Sequence, residues 1–368
     1  MQMKVAYLLG SLNRGGMETL LLDLFRSRKK TSFDILGIHR KEGTLKDDFV
    51  SSQVPLYLLK PKFPFDPYYL FRLRKLLLAK SVTIVHAQQC LDALYAKIAL
   101  FGTNVKVVQT FHGYDFGYTR MQRWFVKWSL QWCDINIFVS KTQQSYFQNK
   151  YGFQSSQKNR VVYNGIDFAK MNLETPNGEL SKNSQCLQLG MVGNFVRGRN
   201  PFFICKALSV LKEQGVEFDF YFVGRRDKKE PWRFDECVKY CKEYGLSSNV
   251  HFLGARDDVS DLLKKWDIFV YATDHDTFGI AVLEAIASGC PVLVNDWDVM
   301  REVTCEGMYA TLYKTRDEKD LVAKIEECRD NMEQKRLAAK EHAKHVRELY
   351  SMERYIHTLK DVYDSICR

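Results

Sequence analysis

Short apolar runs separated by longer amphipathic stretches recur along this chain, and that alternation constrains its fold more than any other feature. Residues 4–9, 35–38, 56–59, 83–87, 106–110, 135–139 and 160–163 read as strands with helical segments between them. Short, mostly apolar strands alternating with helical segments suit a sheet covered by helices on both faces. The strand–helix–strand repeat therefore predicts a doubly wound parallel sheet. The alternation restarts at 187–192 and continues through 218–223, 250–253, 268–272 and 292–294, predicting a second sheet of the same kind. Between the two, residues 174–185 contain Pro, Asn, Gly and Ser and read as a linker. A length of 368 residues is more than one core usually needs, so two domains fit. The expected organisation is a first domain over 1–173, the linker, a second domain over 186–350, and a last helical segment over 351–368 after a break at Tyr350-Ser351. Residues 319–349 read as helix up to that break.

The chain is 46% hydrophobic and 27% charged, as soluble globular proteins are, and no stretch approaches the ~20 apolar residues that span a bilayer. Charged Lys4 leads directly into the first strand, so no signal peptide is expected and the expected location is cytoplasmic. Ten scattered cysteines suit reduced thiols, and Cys237 and Cys241 read as helix packing, not metal ligands. The net charge of +10 implies an anionic partner: a nucleotide diphosphate, a phospholipid surface, a lipid-linked pyrophosphate or a nucleic acid. No helix-turn-helix, zinc-finger or RNP-type signature accompanies the charge, so no nucleic acid is expected.

The most informative motif begins at Asp276 and ends at Val292. An apolar strand precedes it, and Gly289 with Pro291 gives a helix stop before the next strand. The helix is expected to begin near Phe278-Gly279-Ile280, where a glycine allows close backbone approach and the positive helix end favours a phosphate. Glu284 follows Asp276 by eight residues, about two helical turns, which predicts two carboxylates on one face ~12 Å apart along the axis.

This run resembles the Glu-x7-Glu motif of the retaining glycosyltransferases of family four, whose fold is GT-B: two Rossmann-like domains facing across a cleft. The resemblance implies that Asp276, one methylene shorter than the usual Glu, contacts the transferred sugar, and that Glu284 binds the nucleotide ribose. It also implies that the final helix crosses back onto the first domain. Gly15 and Gly16, in the loop after the first strand, are similar to the family's first-domain loop facing donor phosphates and acceptor. Their spacing is not the G-x-G-x-x-G of dinucleotide enzymes. His112, after Gln109-Thr110-Phe111, matches the family's active-site histidine; His86, at the end of an earlier strand, is divided between a cleft role and a satisfied loop histidine. The segment Gly193-Asn194-Phe195-Val196-Arg197-Gly198-Arg199-Asn200 resembles the diphosphate loop, with Asn194 at an arginine position, Arg199 at a lysine position and Arg197 as a substitute cation. Arg256, after another strand, is a candidate for stacking on the base, with a solvated loop arginine as the equal alternative.

Two Asp-x-Asp patterns, Asp274/Asp276 and Asp296/Asp298, mimic a metal-diphosphate motif that would use Mg²⁺ or Mn²⁺. The architecture implied by the resemblance is metal-free, so no metal or other cofactor is expected, and a UDP- or GDP-sugar is the implied donor. Trp124, Trp128 and Trp132 recur at every fourth residue of a basic, aromatic segment. That stripe reads first as core, with a membrane-interface edge as the alternative, strengthened by the similar segment Tyr68 to Lys75. The expected activity is sugar transfer from a nucleotide sugar to a glycan or lipid-linked glycan acceptor in bacterial surface polysaccharide synthesis, at the inner face of the membrane. The alternatives are a catalytically weak nucleotide-sugar-binding protein and an epimerase or phosphorylase of the same fold.

Overall fold

A computed structural model describes residues 3–154, 156–171 and 186–367 of the chain; the expected linker, 174–185, lies outside the described residues. The chain divides into two compact units, one of residues 1–166 with 350–368 and one of residues 167–349.

The first unit alternates β1 (Lys4–Leu9), α1 (Gly16–Arg26), β2 (Asp34–His39), α2 (Lys46–Ser51), β3 (Leu56–Leu58), α3 (Pro67–Ala79) and β4 (Ile84–Ala87). It continues with α4 (Cys90–Ala99), β5 (Lys106–Phe111), α5 (Arg120–Trp132), β6 (Ile135–Phe138), α6 (Lys141–Tyr151) and β7 (Asn159–Val161). The second unit runs β8 (Leu187–Val192), α7 (Pro201–Glu213), β9 (Phe218–Val223), α8 (Trp232–Glu243), β10 (Val250–Gly254), α9 (Val259–Lys265) and β11 (Ile268–Tyr271). Then come α10 (Ile280–Ala287), β12 (Val292–Asn295), α11 (Asp298–Val303), β13 (Thr311–Tyr313), α12 (Glu318–Asp330) and α13 (Met332–Leu349). The last helix, α14 (Met352–Cys367), belongs to the first unit.

Both sheets are parallel, ordered β3-β2-β1-β4-β5-β6-β7 and β10-β9-β8-β11-β12-β13. In each, the strand order reverses beside the first strand, between β1 and β4 and between β8 and β11. Loops leaving the carboxyl ends of those strands diverge there and open a crevice, the place where doubly wound sheets take ligands.

Successive residues of a strand point to opposite faces, and β1 shows it. Val5, Tyr7 and Leu9 share a core with Leu21 and Phe25 of α1, Phe49 of α2 and Ile356 and Leu359 of α14, whereas Ala6 and Leu8 pack with Tyr69 and Leu73 of α3 and Tyr95 of α4. Leu359 is fully buried, a burial that stabilises by about 1.5–3 kcal/mol. The same helix supplies Tyr363, whose hydroxyl lies 2.7 Å from the Tyr7 hydroxyl and 2.7 Å from Nδ1 of His86. Nε2 of His86 lies 2.7 Å from Oγ1 of Thr110. With both ring nitrogens bonded and the side chain fully buried, His86 is a satisfied core histidine. Burial, reinforced by nearby His112, pushes it down to about 3.

Local sequence sets the helix starts. Asp66 accepts from the Tyr68 amide ahead of Pro67, Thr119 and Gln122 close a capping box on α5, and Asn200 accepts from the Phe203 amide ahead of Pro201. Cys237 and Cys241 are buried on α8, which packs on α7 where Cys205 is also buried. Residues 319–349 form two helices, α12 and α13, broken at Asn331, instead of one. The stripe expected as core corrects differently: Trp124, Trp128 and Trp132 are 55%, 37% and 48% exposed. The buried face of α5 is Val126, Ser129 and Leu130. Val126 and Leu130 each follow a stripe tryptophan by two positions, about 200° round the helix, so the stripe faces away from the sheet.

Candidate functional site

In the second unit, Arg199 and Asp276 meet at the β8/β11 switch point through Tyr271, the last residue of β11. The Arg199 Nε–H donates to the Tyr271 hydroxyl at 2.9 Å, and that hydroxyl donates to Oδ2 of Asp276. Tyr271 is fully buried. Burial pushes its phenol far above the usual range, and Asp276 adds to this while Arg199 opposes it, so the phenol is a neutral donor. Burial also opposes charge on Arg199, but Tyr271 and Asp276 outweigh it and the guanidinium is held above its ordinary range.

The loops carrying these groups are stitched together. The amide of Asn200 donates to the Ala272 carbonyl at 3.0 Å and that of Asp274 to the Gly198 carbonyl at 2.9 Å. The Thr273 hydroxyl donates to the Gly198 carbonyl and accepts from the Asp276 amide at 3.0 Å. Asn295, at the end of β12, accepts from the Thr273 amide at 2.9 Å and donates to the Thr273 carbonyl at 2.8 Å. Thr273 and Asn295 thus hold the acid's loop from both sides. Gly224, after β9, lets the neighbouring loops touch: a Cβ there would lie 2.0 Å from the Gly193 carbonyl oxygen.

Asp276 is not on a helix. Gly279, in the left-handed region at φ 80°, is the N-cap of α10, so the helix starts at Ile280 and only Glu284 of the two acids lies on it. The expected helical spacing of the carboxylates is therefore corrected: the chain from Asp276 to Gly279 is loop. An added Cβ at Gly279 would meet Cε of Met300 at 2.6 Å. Phe278 is buried and Glu284 is half-buried.

The remaining candidates in this unit are placed as follows. Oδ1 of Asn194 accepts from the Arg225 amide at 2.9 Å, joining the ends of β8 and β9. The Arg197 side chain is exposed while its amide donates to Glu230 at 3.0 Å. The exposed guanidinium of Arg256 is bound by both oxygens of Asp258, at 2.8 and 2.6 Å. That pairing matches its solvated-loop reading. Arg225, after β9, is exposed. Among the described residues no group of three or more His, Cys, Asp or Glu side chains is arranged to hold a metal ion.

In the first unit, His112 follows β5, and its Nε2 lies 2.7 Å from Oε1 of Gln88, which follows β4. The Gln88 amide nitrogen donates to the His86 carbonyl, fixing the amide so that its oxygen accepts from His112. That assigns the His112 proton to Nε2. Burial pushes His112 down to about 4, so it is neutral at pH 7. Gly15 has extended backbone and caps α1, and a side chain at Gly16 would meet nothing within 4 Å, leaving room beside the carboxyl edge of the sheet.

Of the groups that build the site, sequence reasoning passed over Tyr271, Thr273 and Asn295. Tyr271 was legible only as a strand residue. The available signal was its place as the last residue before the loop, where a long polar-tipped side chain can reach back to the edge.

Two all-parallel units of this order, with a cation and a carboxylate gathered at the switch point of the second, define the GT-B class. Residues 14–170 match the family described as Glycosyltransferase Family 4 and residues 177–346 match Glycosyl transferases group 1. Together the two matches take in most of the chain, which belongs to this family of glycosyltransferases. It is 26% identical over 300 residues, 76% of each chain, to the UDP-Gal:alpha-D-GlcNAc-diphosphoundecaprenol alpha-1,3-galactosyltransferase of Escherichia coli. It is 23% identical over 301 residues to the capsular polysaccharide biosynthesis glycosyltransferase CapH of Staphylococcus aureus, covering 79% of this chain and 80% of that one. The crystal structure of Anabaena Alr3699/HepE in complex with UDP and glucose shares the fold, with a TM-score of 0.83 at 19% identity over 99% of this chain and 100% of that one.

Proposed function

We propose that this chain transfers a sugar from a nucleotide-sugar donor, a UDP- or GDP-sugar, to a lipid-linked glycan in bacterial surface polysaccharide assembly, with retention and without a metal ion. The observation that carries the reading is the Arg199–Tyr271–Asp276 network at the switch point of the second sheet, beside the start of α10. In this reading the donor diphosphate meets Arg199 and the amides at the α10 start, and Asp276 accepts from hydroxyls of the sugar. Negative charge grows on the diphosphate as the glycosidic bond breaks, so a guanidinium and a helix end already in place lower the barrier without reorganising. Glu284 is assigned to the ribose, and Arg225 and Arg197 are the loop cations available to the nucleotide, whereas Arg256 is held by Asp258. His112, neutral and oriented by Gln88, is assigned to the donor sugar; Gly16 leaves room for phosphates and acceptor, while the Glu18 carboxylate occupies the space beside Gly15. The name of the Escherichia coli relative supports a lipid-linked acceptor, and the UDP complex of the structural neighbour favours a uridine donor.

A membrane surface fits the acceptor. No helix of the described residues is long and apolar enough to cross a membrane. Helices α3 and α5 contain no acidic residue and carry Arg72, Arg74, Lys75, Arg120, Arg123 and Lys127, and α4 packs between them. Tyr68, Phe71, Phe101 and the three tryptophans are exposed on and beside these helices. Aromatic rings set among cations suit the headgroup region of an anionic bilayer.

The test is a thermal-shift panel of UDP, GDP, ADP, TDP and CDP, with and without EDTA. A ligand at a hundredfold excess over Kd stabilises by ~2.7 kcal/mol. A shift for one base that EDTA leaves unchanged supports the reading; no shift with any nucleotide removes the donor assignment, and an EDTA-sensitive shift removes the metal-free part.

A further inference from the structure

Arg199 and Asp276 carry opposite charges into one half-buried corner, yet among the described residues they form no direct ion pair. Each bonds to the same phenolic oxygen. Direct pairing of a guanidinium with a carboxylate is the stronger contact and would draw both groups onto each other. The structure prevents it with a rigid side chain whose every other constraint is structural. The ring of Tyr271 is fully buried beside Phe269, and its backbone carbonyl accepts from the hydroxyl of Tyr313 at 2.7 Å. A tyrosine fixed at both backbone and ring has no freedom to withdraw its hydroxyl.

We propose that Tyr271 is a positioning residue that holds Arg199 and Asp276 apart, keeping the cation open to a diphosphate and the carboxylate open to a sugar. The hydroxyl accepts from one and donates to the other, so each keeps a partner without being neutralised. Arg199 has one nitrogen occupied by the phenol, which leaves its terminal nitrogens for two further bonds in the fork geometry that suits phosphate oxygens. Asp276 likewise keeps Oδ1 while Oδ2 is bound. Without the hydroxyl, the gap it filled closes and the two charges pair with each other instead of with ligand.

This rests on the proposed donor site, and the test separates the two. The Kd of the full-length protein for UDP and for GDP is measured by calorimetry, first in the wild type, then in Tyr271→Phe, Asp276→Asn and the double variant. If the wild type binds neither nucleotide, the donor-site reading fails and takes the proposal with it. If it binds one, Tyr271→Phe is expected to weaken that nucleotide about 10- to 100-fold, the loss of a charge-assisted contact. Asp276→Asn alone is expected to change the Kd by less than about threefold, because bare UDP or GDP has no sugar for the acid to hold and the bond that anchors Arg199 to the phenol is kept. In the double variant the acid's charge is gone and Arg199 is released, so affinity returns to within about threefold of the wild type. A purely structural tyrosine gives no such recovery. A double variant as weak as Tyr271→Phe, or a Tyr271→Phe protein that binds like the wild type, overturns the proposal. If Tyr271→Phe does not fold, Asp276→Asn in the wild-type background decides it: a marked change in Kd means that the acid already governs Arg199, which also overturns it.

Discussion

Lowering the pH strains the first unit at one residue in particular. His86 has no access to solvent and sits between two hydroxyls, and burial holds it down to about 3, against about 6.5 in the unfolded chain. A depressed histidine means that the unfolded state binds more protons throughout the window between those two values, so stability falls as pH drops below about 6.5. At pH 5 the unfolded form is almost fully protonated and the folded form almost not at all, a loss of about 2 kcal/mol from His86 alone, growing by ~1.4 kcal/mol for each further pH unit until the folded pKa is approached. Because the two units need not unfold together, the assay is amide exchange on β1, β4 and β5 from pH 7.5 to 4, in the wild type and in His86→Gln, which keeps a donor and an acceptor but does not titrate. His86→Gln is expected to start less stable and to lose stability more slowly with acid, by about one proton's worth of slope. Parallel pH curves for the two proteins would refute the reasoning, since His86 would then not be resisting protonation in the wild type.

Two further perturbations have definite outcomes. Gly279→Ala places a Cβ at φ 80° and against Met300, so it is expected to destabilise the second unit by about 1–2 kcal/mol and to weaken nucleotide binding; unchanged melting and Kd would show that the α10 start does not need glycine. Replacing Trp124, Trp128 and Trp132 together by serine is expected to move Tm by less than about 4 °C, because all three are exposed, while reducing co-sedimentation with phosphatidylglycerol vesicles by about tenfold. Large destabilisation would return the stripe to the core, and unchanged sedimentation would end the membrane assignment.

The sheets were legible because most of their strands are largely buried and leave a mostly apolar run of letters. The strands at 187–192 and 218–223 were readable to the residue. β13 was missed because Thr311-Leu312-Tyr313 opens on a threonine and stops at Lys314, whereas the equally short edge strand β3 is apolar throughout, Leu56-Tyr57-Leu58. The two acids of the central motif were visible, but their relation was not. Counting residues assumes one continuous helix, and the left-handed turn at Gly279 is a backbone state that the letter G permits without requiring. The tryptophan stripe misled for a related reason: periodicity shows that residues share a helix face and does not say which face meets the sheet. Tyr271 was hidden because its role depends on which loop lies beside β11, and strand order is not written at any one position.

Helix α14 closes the core of a unit whose previous element, β7, ends at Val161, with about 190 residues between them. During synthesis, at roughly 5–20 residues per second, that interval lasts about 10–40 s. Throughout it the nascent first unit presents an open apolar furrow where Ile356, Leu359 and Tyr363 will lie, and the second unit emerges entire in the meantime. The half of the molecule translated first is thus the half completed last.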